Sequence, residues 1–394
     1  MKKVLILGGG FAGVETAIYL RKEKYQVTLV SERDFFFIFP TSIWIPTREK
    51  EFKDVSIDLV DLQKAHGFEL IIDKVVEISA KNNRVTLDSG KQLYQYDYLV
   101  LAMGAGKLKP KGVENTLSIC GAPEQSLLIR DQLDALIEKG SGKLAFGFGG
   151  NPHDSSAVRG GPGFELIFNV HNLLKKKGIR DKYELTFFAP MAQPGKKMGP
   201  KSLKMIDKYF DRLGIHKHFG KKIKSFEKEG VVFEDDSILL SDFIMFIPAG
   251  DGHDIIKTSD LPLSESSFVI TDDFSQVIFE DENMPTNIYA IGDTAKLEGF
   301  DWRAKQGHVA EVMARNLAFN IKERDKGGSK FKGYKEHLNI LCVMDSGDGA
   351  AFVYRDDKRA FSIPMPLFGH WLKKGWGTYC RLSKLGKIPR IPGM

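Results

Sequence analysis

The sequence predicts an α/β chain with two Rossmann-type dinucleotide-binding domains, followed by an amphipathic C-terminal region. Three observations predict this architecture. A strand, a glycine turn and a helix open the chain, alternating strand and helix patterns fill its middle, and a later strand ends in Gly292 and Asp293. With 394 residues, the chain is long enough for two or three domains.

The opening segment, "KKVLILGGGFAG", carries a GxGxxG pattern at a strand-to-helix turn. Gly8, Gly10 and Gly13 form the pattern, and Ala12 lies between the last two glycines. Glycines at this turn let the backbone approach a pyrophosphate at the positive end of the helix. Glu32 ends the second strand, where an acidic residue accepts a hydrogen bond from a ribose hydroxyl. We therefore expect a dinucleotide site rather than a plain tight turn.

Two later strands carry further glycines. "YDYLVLAMGA" ends at Gly104, and "NIYAIGDTAKL" delivers Gly292 and Asp293. Asp293 alone would be interpreted as a helix N-cap. Together with the opening motif, these segments resemble the FAD-binding two-dinucleotide-fold flavoproteins. The resemblance implies FAD, with Asp293 bonding the ribityl chain and Gly292 passing close to the flavin phosphates.

A second β/α unit is predicted in the middle of the chain, with a long loop inside it. Its elements are a helix at Glu124–Gly140, a strand at Lys143–Phe148, a helix at Glu165–Lys177 and a strand at Tyr183–Phe188. The first strand and the second helix are separated by "GGNPHDSSAVRGGPGF", whereas a dinucleotide turn enters its helix at once. We expect this loop to cover the place where NADH would lie.

The whole chain resembles the sulfide:quinone oxidoreductase and flavocytochrome c sulfide dehydrogenase flavoproteins, which are relatives of type II NADH dehydrogenase. The segments that carry the resemblance, beyond the opening motif, are "FIFPTSIW", "SICGAPE", "RAKQGHVAE", "NILCVMDSGDGAAF" and "PMPLFGHWLKKGWGTYCRL". The resemblance implies an enzyme that passes two electrons from sulfide, or another small sulfur donor, to a quinone. The aromatic and basic C-terminal segment predicts a peripheral, monotopic position on the prokaryotic cell membrane. The sequence leaves open two alternatives, namely a type II NADH:quinone oxidoreductase and a non-catalytic flavin-binding redox sensor at the membrane.

The family carries sulfide oxidation on two cysteines, and this chain lacks one of them. Cys342 matches the cysteine of the C-terminal strand, and the resemblance implies for it both reach and a lowered thiol pKa. The other should fall near Arg159 or Gly160, where there is none. Cys120 matches a third family cysteine that lies away from the flavin, and Cys380 is expected to be incidental. We expect the sulfur chemistry to rest on Cys342, with Arg159 holding an anionic donor.

Two charged residues match family positions near the flavin and the quinone. Lys305 would favour the electron-rich reduced flavin, unless it is simply a solvated lysine. Glu165 would pass protons to the quinone, unless it is a first-turn carboxylate favoured by the helix dipole.

The C-terminal segment from Pro366 is aromatic and basic, and no acidic residue occurs from Pro364 onward. This pattern is typical of a helix in the headgroup region, with its basic groups toward anionic lipid. The alternative is an amphipathic helix docked on the protein's own core. If the helix lies at the membrane, the basic residues of this segment concentrate much of the positive charge of the chain, whose formal net charge is +6, at the lipid surface.

These observations divide the chain into four segments and define its partners. The FAD domain takes residues 1–115 and 265–330, the second Rossmann-type domain takes 116–264, and the C-terminal region takes 331–394. The expected partners are quinone, a sulfur donor and anionic membrane lipid, with no nucleic acid. Nine histidines and three cysteines show no metal-ligand spacing, so no metal is expected. The sequence leaves open whether the chain forms a homo-oligomer.

Overall fold

The computed structural model describes residues 1–390, in which eight α-helices and twenty-two strands are placed. The helices are α1 (Phe11–Lys22), α2 (Leu59–His66), α3 (Gln125–Lys139), α4 (Gly161–Lys176), α5 (Pro200–Leu213), α6 (Asp254–Lys257), α7 (Gly307–Asp325) and α8 (Phe368–Lys384). The strands are β1 (Lys3–Leu7), β2 (Gln26–Ser31), β3 (Phe35–Phe37), β4 (Ser56–Asp58), β5 (Glu69–Ile72), β6 (Val75–Ser79), β7 (Arg84–Leu87), β8 (Gln92–Leu93), β9 (Tyr98–Leu101), β10 (Gly106–Lys107), β11 (Gly142–Phe148), β12 (Tyr183–Ala189), β13 (Ile215–Phe219), β14 (Ile223–Glu227), β15 (Gly230–Phe233), β16 (Ile238–Leu240), β17 (Phe243–Ile247), β18 (Gly250–Asp251), β19 (Ile288–Ala290), β20 (Ile340–Asp345), β21 (Gly349–Arg355) and β22 (Ala360–Pro366).

The first parallel sheet has the strand order β19-β9-β1-β2-β5. Its central strands are continuous apolar runs, "KVLIL" in β1 and "YLVL" in β9, and nearly all of their side chains are buried. Such runs are typical of parallel strands covered on both faces. Helices α1 and α7 pack against each other beside this sheet. The glycine turns at the carboxyl ends of β1, β9 and β19 therefore meet at one edge.

The second parallel sheet has the order β13-β12-β11-β17. Phenylalanines dominate the core between this sheet and helices α4 and α5. The rings of Phe164 and Phe187 stack with centroids 4.6 Å apart. Each parallel sheet is accompanied by a three-stranded antiparallel sheet, β6-β7-β8 and β14-β15-β16. The prediction of an α/β chain is confirmed by these two sheets.

Helix α4 begins at Gly161 rather than at the predicted Glu165. Pro162 lies in its first turn, where a missing N–H costs no hydrogen bond and the fixed φ suits a helix. The sequence "GGPGF" predicts a loop, because glycine and proline usually interrupt helices. The remaining loop, residues 149–160, still separates β11 from its helix.

The C-terminal region consists of the antiparallel sheet β20-β21-β22 and helix α8, which packs on all three strands. Among residues 1–390, no helix combines the length and apolar character needed to cross a bilayer.

Candidate active site

A cavity of about 1750 Å³ is lined by residues of both parallel-sheet units and of the C-terminal region. Every predicted site residue lines it except Gly13, which is a buried residue of α1. The predicted residues that line it are Gly8, Gly10, Ala12, Glu32, Gly104, Cys120, Glu165, Gly292, Asp293, Lys305 and Cys342.

The opening glycine turn has the geometry of a dinucleotide cradle. Gly8 has φ = 115°, and a side chain there would overlap the backbone carbonyl of Ala102. A side chain at Gly13 would overlap the carbonyl oxygen of Gly8, so helix and strand pack closely. Gly10, the N-cap of α1, faces open space instead. The helix N-terminus is therefore accessible to a phosphate, and these residues fit the pyrophosphate of FAD.

The later glycine turn places Asp293 at the same cavity. Gly292 (φ = 63°) opens a short 3-10 turn, and Asp293 is its second residue rather than an N-cap. The Asp293 carboxylate is ion-paired with the guanidinium of Arg159, which extends from the loop of residues 149–160. Arg159 therefore reaches the aspartate that the sequence motifs predict to bond the cofactor.

The loop of residues 149–160 is held by its own side chains and forms a wall of the cavity. Buried Asn151 donates to the Gly250 carbonyl at 2.9 Å and accepts from the backbone N–H of His153 at 2.9 Å. Buried Asp154 accepts from the N–H of Ser156 at 2.8 Å and from its hydroxyl at 2.6 Å. The exclusion of NADH by this ordered wall stays a prediction.

Gly160 leaves no room for the missing thiol. A Cβ atom on Gly160 would approach the ring of Phe148 to 2.6 Å, and this ring is buried in the core of the second sheet. A cysteine at 160 would therefore force a packed ring to move.

Both Cys120 and Cys342 line the cavity, and the expectation that Cys120 lies away from the flavin stays a prediction. Burial raises the pKa of Cys120, while the charges of Lys107 and Arg159 act in the opposite direction. Burial, together with the nearby Glu165, raises the pKa of Cys342 to about 12. The expected lowering of the Cys342 pKa is therefore not found, because a buried site disfavours the thiolate.

Lys305 is buried rather than solvated, which excludes the plain surface interpretation. Its ammonium donates to the backbone carbonyls of Asp293, at 3.2 Å, and of Ala295, and it lies 3.9 Å from the ring centroid of Phe268. Burial lowers the pKa of Lys305 to about 7. Its amine therefore changes charge near neutral pH, directly beside Asp293.

Glu165 is a buried residue of α4 beyond the first turn, so the helix-dipole interpretation does not apply. Its Oε1 accepts from the backbone N–H of Asp345 at 2.7 Å and from the ammonium of Lys373 on α8. Burial raises the pKa of Glu165 despite this ion pair. The sequence analysis missed the role of Lys373, because 208 residues separate the two partners.

Two further lysines of the C-terminal helix also face the protein, so the expected orientation toward lipid is not found for them, whereas Lys387 beyond the helix is exposed. Lys384 is buried and paired with Glu15 and with Glu311, the latter at 2.8 Å. Lys374 is 2.7 Å from Glu49. The acidic partners of these lysines lie far away in the sequence. The C-terminal segment contains no acidic residue, so its local pattern did not indicate that its lysines would form ion pairs.

The exposed face at the beginning of α8 is apolar instead of basic. Phe368 and Trp371 are 67% and 69% exposed, and Leu367 precedes them at 75%. Leu372 is 40% exposed and also lines the cavity, as does Trp376 one turn further along. An apolar surface therefore adjoins the cavity at this helix.

Comparison with known proteins places the chain among flavoenzymes. Residues 2–314 match the pyridine nucleotide-disulphide oxidoreductase family. Sulfide-quinone reductase of Aquifex aeolicus is 26% identical, with 96% of this chain and 90% of that protein covered. The X-ray structure of the sulfide:quinone oxidoreductase from Aquifex aeolicus superimposes with a TM-score of 0.86 at 25% identity, covering 98% of this chain and 92% of that one. A type II NADH:quinone oxidoreductase of Staphylococcus epidermidis is 23% identical, with 90% of each chain covered.

The comparisons confirm the resemblance that the sequence motifs indicated. The glycine cradle and the convergence of Gly104, Gly292 and Asp293 on one cavity fit FAD, and the protein is an FAD-dependent oxidoreductase. The chain belongs to the pyridine nucleotide-disulphide oxidoreductase family.

Proposed function

We propose that the protein passes two electrons from sulfide, or another small sulfur donor, to a quinone. The observation that carries this proposal is a single cavity lined by the dinucleotide cradle, by Cys342 and by the Glu165–Lys373 ion pair. A nucleophilic sulfur and a buried acid–base pair are the two groups that these half-reactions need. The two relatives are named sulfide-quinone reductase and type II NADH:quinone oxidoreductase, and the shared word quinone in these names supports a quinone as the electron acceptor.

The sulfur half-reaction is assigned to Cys342. Its thiol and HS⁻ form a persulfide anion, releasing two protons and two electrons, and a quinone takes up two of each to become a quinol. Bound FAD supplies the two-electron acceptor between these half-reactions. Lys305 in its protonated form stabilises negative charge beside Asp293.

Arg159 is proposed to hold the anionic sulfur donor in place of the absent second cysteine. Its guanidinium lines the cavity, and Lys107 and Cys120 are near enough to interact with it electrostatically. A partly buried guanidinium such as that of Arg159, which is 31% exposed, binds an anion through charge-assisted hydrogen bonds. The donor is then positioned by charge rather than by a covalent bond.

The quinone is proposed to enter beside α8 from the surface of the cell membrane, where the protein lies peripherally. The exposed side chains of Phe368 and Trp371 adjoin Leu372 and Trp376, which line the cavity. Aromatic and leucine side chains of this kind insert at the boundary of headgroups and acyl chains. Anionic lipid stays a proposed partner through exposed groups such as Lys387.

Anaerobic stopped-flow mixing of the FAD-loaded protein with sulfide or with NADH tests the proposal. We expect sulfide to bleach the flavin absorbance rapidly, NADH to leave it unchanged, and a short-chain quinone to restore it. Rapid bleaching by NADH alone would make the protein an NADH:quinone oxidoreductase, the second candidate, which the Staphylococcus epidermidis relative favours. Bleaching by neither donor would indicate a redox sensor without turnover.

A further inference from the structure

We propose that Glu49, His370 and Asp345 form a proton relay from the protein surface to the buried Glu165–Lys373 pair. This inference rests on the proposed reduction of a quinone in the cavity. Each quinone that becomes a quinol takes up two electrons from the reduced holoenzyme and two protons from solvent. The relay supplies those protons to Glu165 and Lys373, which line the cavity but are almost completely buried themselves.

The outer half of the relay is centred on His370 of α8. Its Nδ1 is 2.7 Å from Oδ2 of Asp345, and its Nε2 is 3.2 Å from Oε2 of Glu49. The side chain of Glu49 is 21% exposed, that of His370 is 10% exposed and that of Asp345 is fully buried. Exposure therefore falls step by step from the surface inward. An imidazole bonded at both nitrogens takes up a proton at one and releases a proton at the other.

The inner half joins Asp345 to the cavity. Asp345 ends β20, and its backbone N–H donates to Oε1 of Glu165 at 2.7 Å. Lys373 lies three residues after His370, on the same face of α8, and is ion-paired with Glu165. The Lys373 ammonium also interacts electrostatically with Asp345. Lys373 is therefore held at Glu165, within electrostatic reach of the Asp345 carboxylate.

The Asp345 carboxylate is held in place by neutral donors that bind Oδ1, the oxygen that does not face His370. The Nδ2 of Asn169 donates to Oδ1 at 2.9 Å, and the indole Nε1 of Trp44 donates at 3.3 Å. Its Oδ2 is thereby left for His370. A carboxylate with one oxygen fixed and the other facing an imidazole is oriented for proton exchange.

The charged neighbours of His370 determine the protonation state of its imidazole at neutral pH. The carboxylates of Asp345 and Glu49 raise the pKa of His370 to about 9, while Lys374 opposes them. Burial would raise the pKa of Glu49, but His370 and Lys374 lower it to about 2. The other charged group at Glu49 is Lys176 of α4, at 3.6 Å. The imidazole is therefore protonated at neutral pH, and its inner N–H points at Asp345.

The test follows reoxidation of the photoreduced, FAD-loaded protein in a stopped-flow instrument. A short-chain quinone takes up protons with its electrons, whereas ferricyanide takes up electrons alone. We expect His370→Gln and Glu49→Gln to slow reoxidation by the quinone about 10-fold and to leave reoxidation by ferricyanide unchanged. Glutamine keeps hydrogen-bonding groups at each position but relays no proton. Lys175→Gln is the matched control, because Lys175 is an exposed lysine of the same helix α4 and contacts none of the relay residues.

Two further measurements separate a relay from a structural network. Added imidazole should restore quinone-dependent reoxidation in His370→Ala, and ¹⁵N NMR should show the His370 ring doubly protonated at pH 7.5. The inference is overturned if both glutamine variants match the parent with quinone, or if ferricyanide slows equally. If His370→Gln fails to fold, Glu49→Gln decides. A parent protein that quinone does not reoxidise contradicts the proposed function itself, whereas a responsive parent with unaffected variants contradicts only the relay.

Discussion

The Lys384 ammonium is ion-paired with the Glu15 carboxylate, and both side chains are almost completely buried, at 1% and 0% exposure. Glu15 lies on α1, the helix whose N-terminus forms the dinucleotide cradle. Arg390 contacts the same carboxylate, and Lys384 also reaches Glu311 of α7. The C-terminal helix is therefore tied by buried charges to the cofactor-binding unit, and it is not a detachable anchor.

Replacing Lys384 by methionine should destabilise the whole protein. Removing one partner of a buried ion pair leaves an uncompensated charge and costs about 3–5 kcal/mol. Denaturant unfolding, followed by far-UV circular dichroism, measures the loss, and Lys387→Met serves as the exposed control. Deletion from residue 366 onward should likewise give an unfolded product. A soluble truncated flavoprotein, or equal midpoints for the two lysine variants, would contradict this role of α8.

The stability of the fold should depend on the protonation of His370. Its pKa is raised to about 9 in the folded state, above its unfolded value near 6.5. The resulting stabilisation is fully present below about pH 6.5 and is lost as the pH rises through 9, and its full size is about 3.4 kcal/mol. The difference in unfolding free energy between the parent and His370→Gln should therefore shrink between pH 6 and pH 10. A constant difference over that range would show that the imidazole is not charged.

The order of the strands and helices followed from the sequence because parallel strands and their crossover helices have distinct apolar patterns. Helix α3, predicted at Glu124–Gly140, spans Gln125–Lys139. The cofactor-side residues converge because each follows a strand of one parallel sheet, and the carboxyl ends of such strands share an edge.

The charged part of the site did not follow from the sequence. Glu15 and Lys384 are 369 residues apart, so no local pattern links them. The lack of acids near the C-terminus predicted a basic face toward lipid, whereas distant acids on α1, α4 and α7 attract these groups inward. Thiol pKa values also depend on burial, which local sequence does not give.

Replacement of Cys342 by serine should abolish reduction of the flavin by sulfide, with a loss of at least about 100-fold. The control is Cys380→Ser, because Cys380 is a residue of α8 that is buried in the protein core and does not line the cavity. Since the pKa of Cys342 is raised to about 12, its alkylation by iodoacetamide should accelerate steadily from pH 7 to pH 10. A pH-independent rate of alkylation would indicate that the thiolate already predominates.

Association with membranes should depend on apolar contacts of α8 more than on its charges. Phe368 and Trp371 are exposed, whereas Lys373 and Lys384 are buried in ion pairs. The double variant Phe368→Ser/Trp371→Ser should lose vesicle binding in flotation assays. Parent protein should float with zwitterionic vesicles nearly as well as with anionic ones. Binding to anionic vesicles alone would restore the electrostatic interpretation.

The position of the absent cysteine is best probed through Arg159, because Gly160 is sterically blocked. Gly160→Cys should cost about 1–3 kcal/mol of stability, since its Cβ would meet the buried ring of Phe148.

Arg159→Gln should instead keep the fold while removing the cation that faces Asp293. If this guanidinium holds an anionic sulfur donor, the variant needs at least about 10-fold more sulfide for half-maximal flavin reduction, yet dithionite reduces it at the parental rate. Arg159→Lys is the charge-conserving control and should recover part of the sulfide affinity. Unchanged sulfide dependence in Arg159→Gln would show that the guanidinium serves only to pair with Asp293.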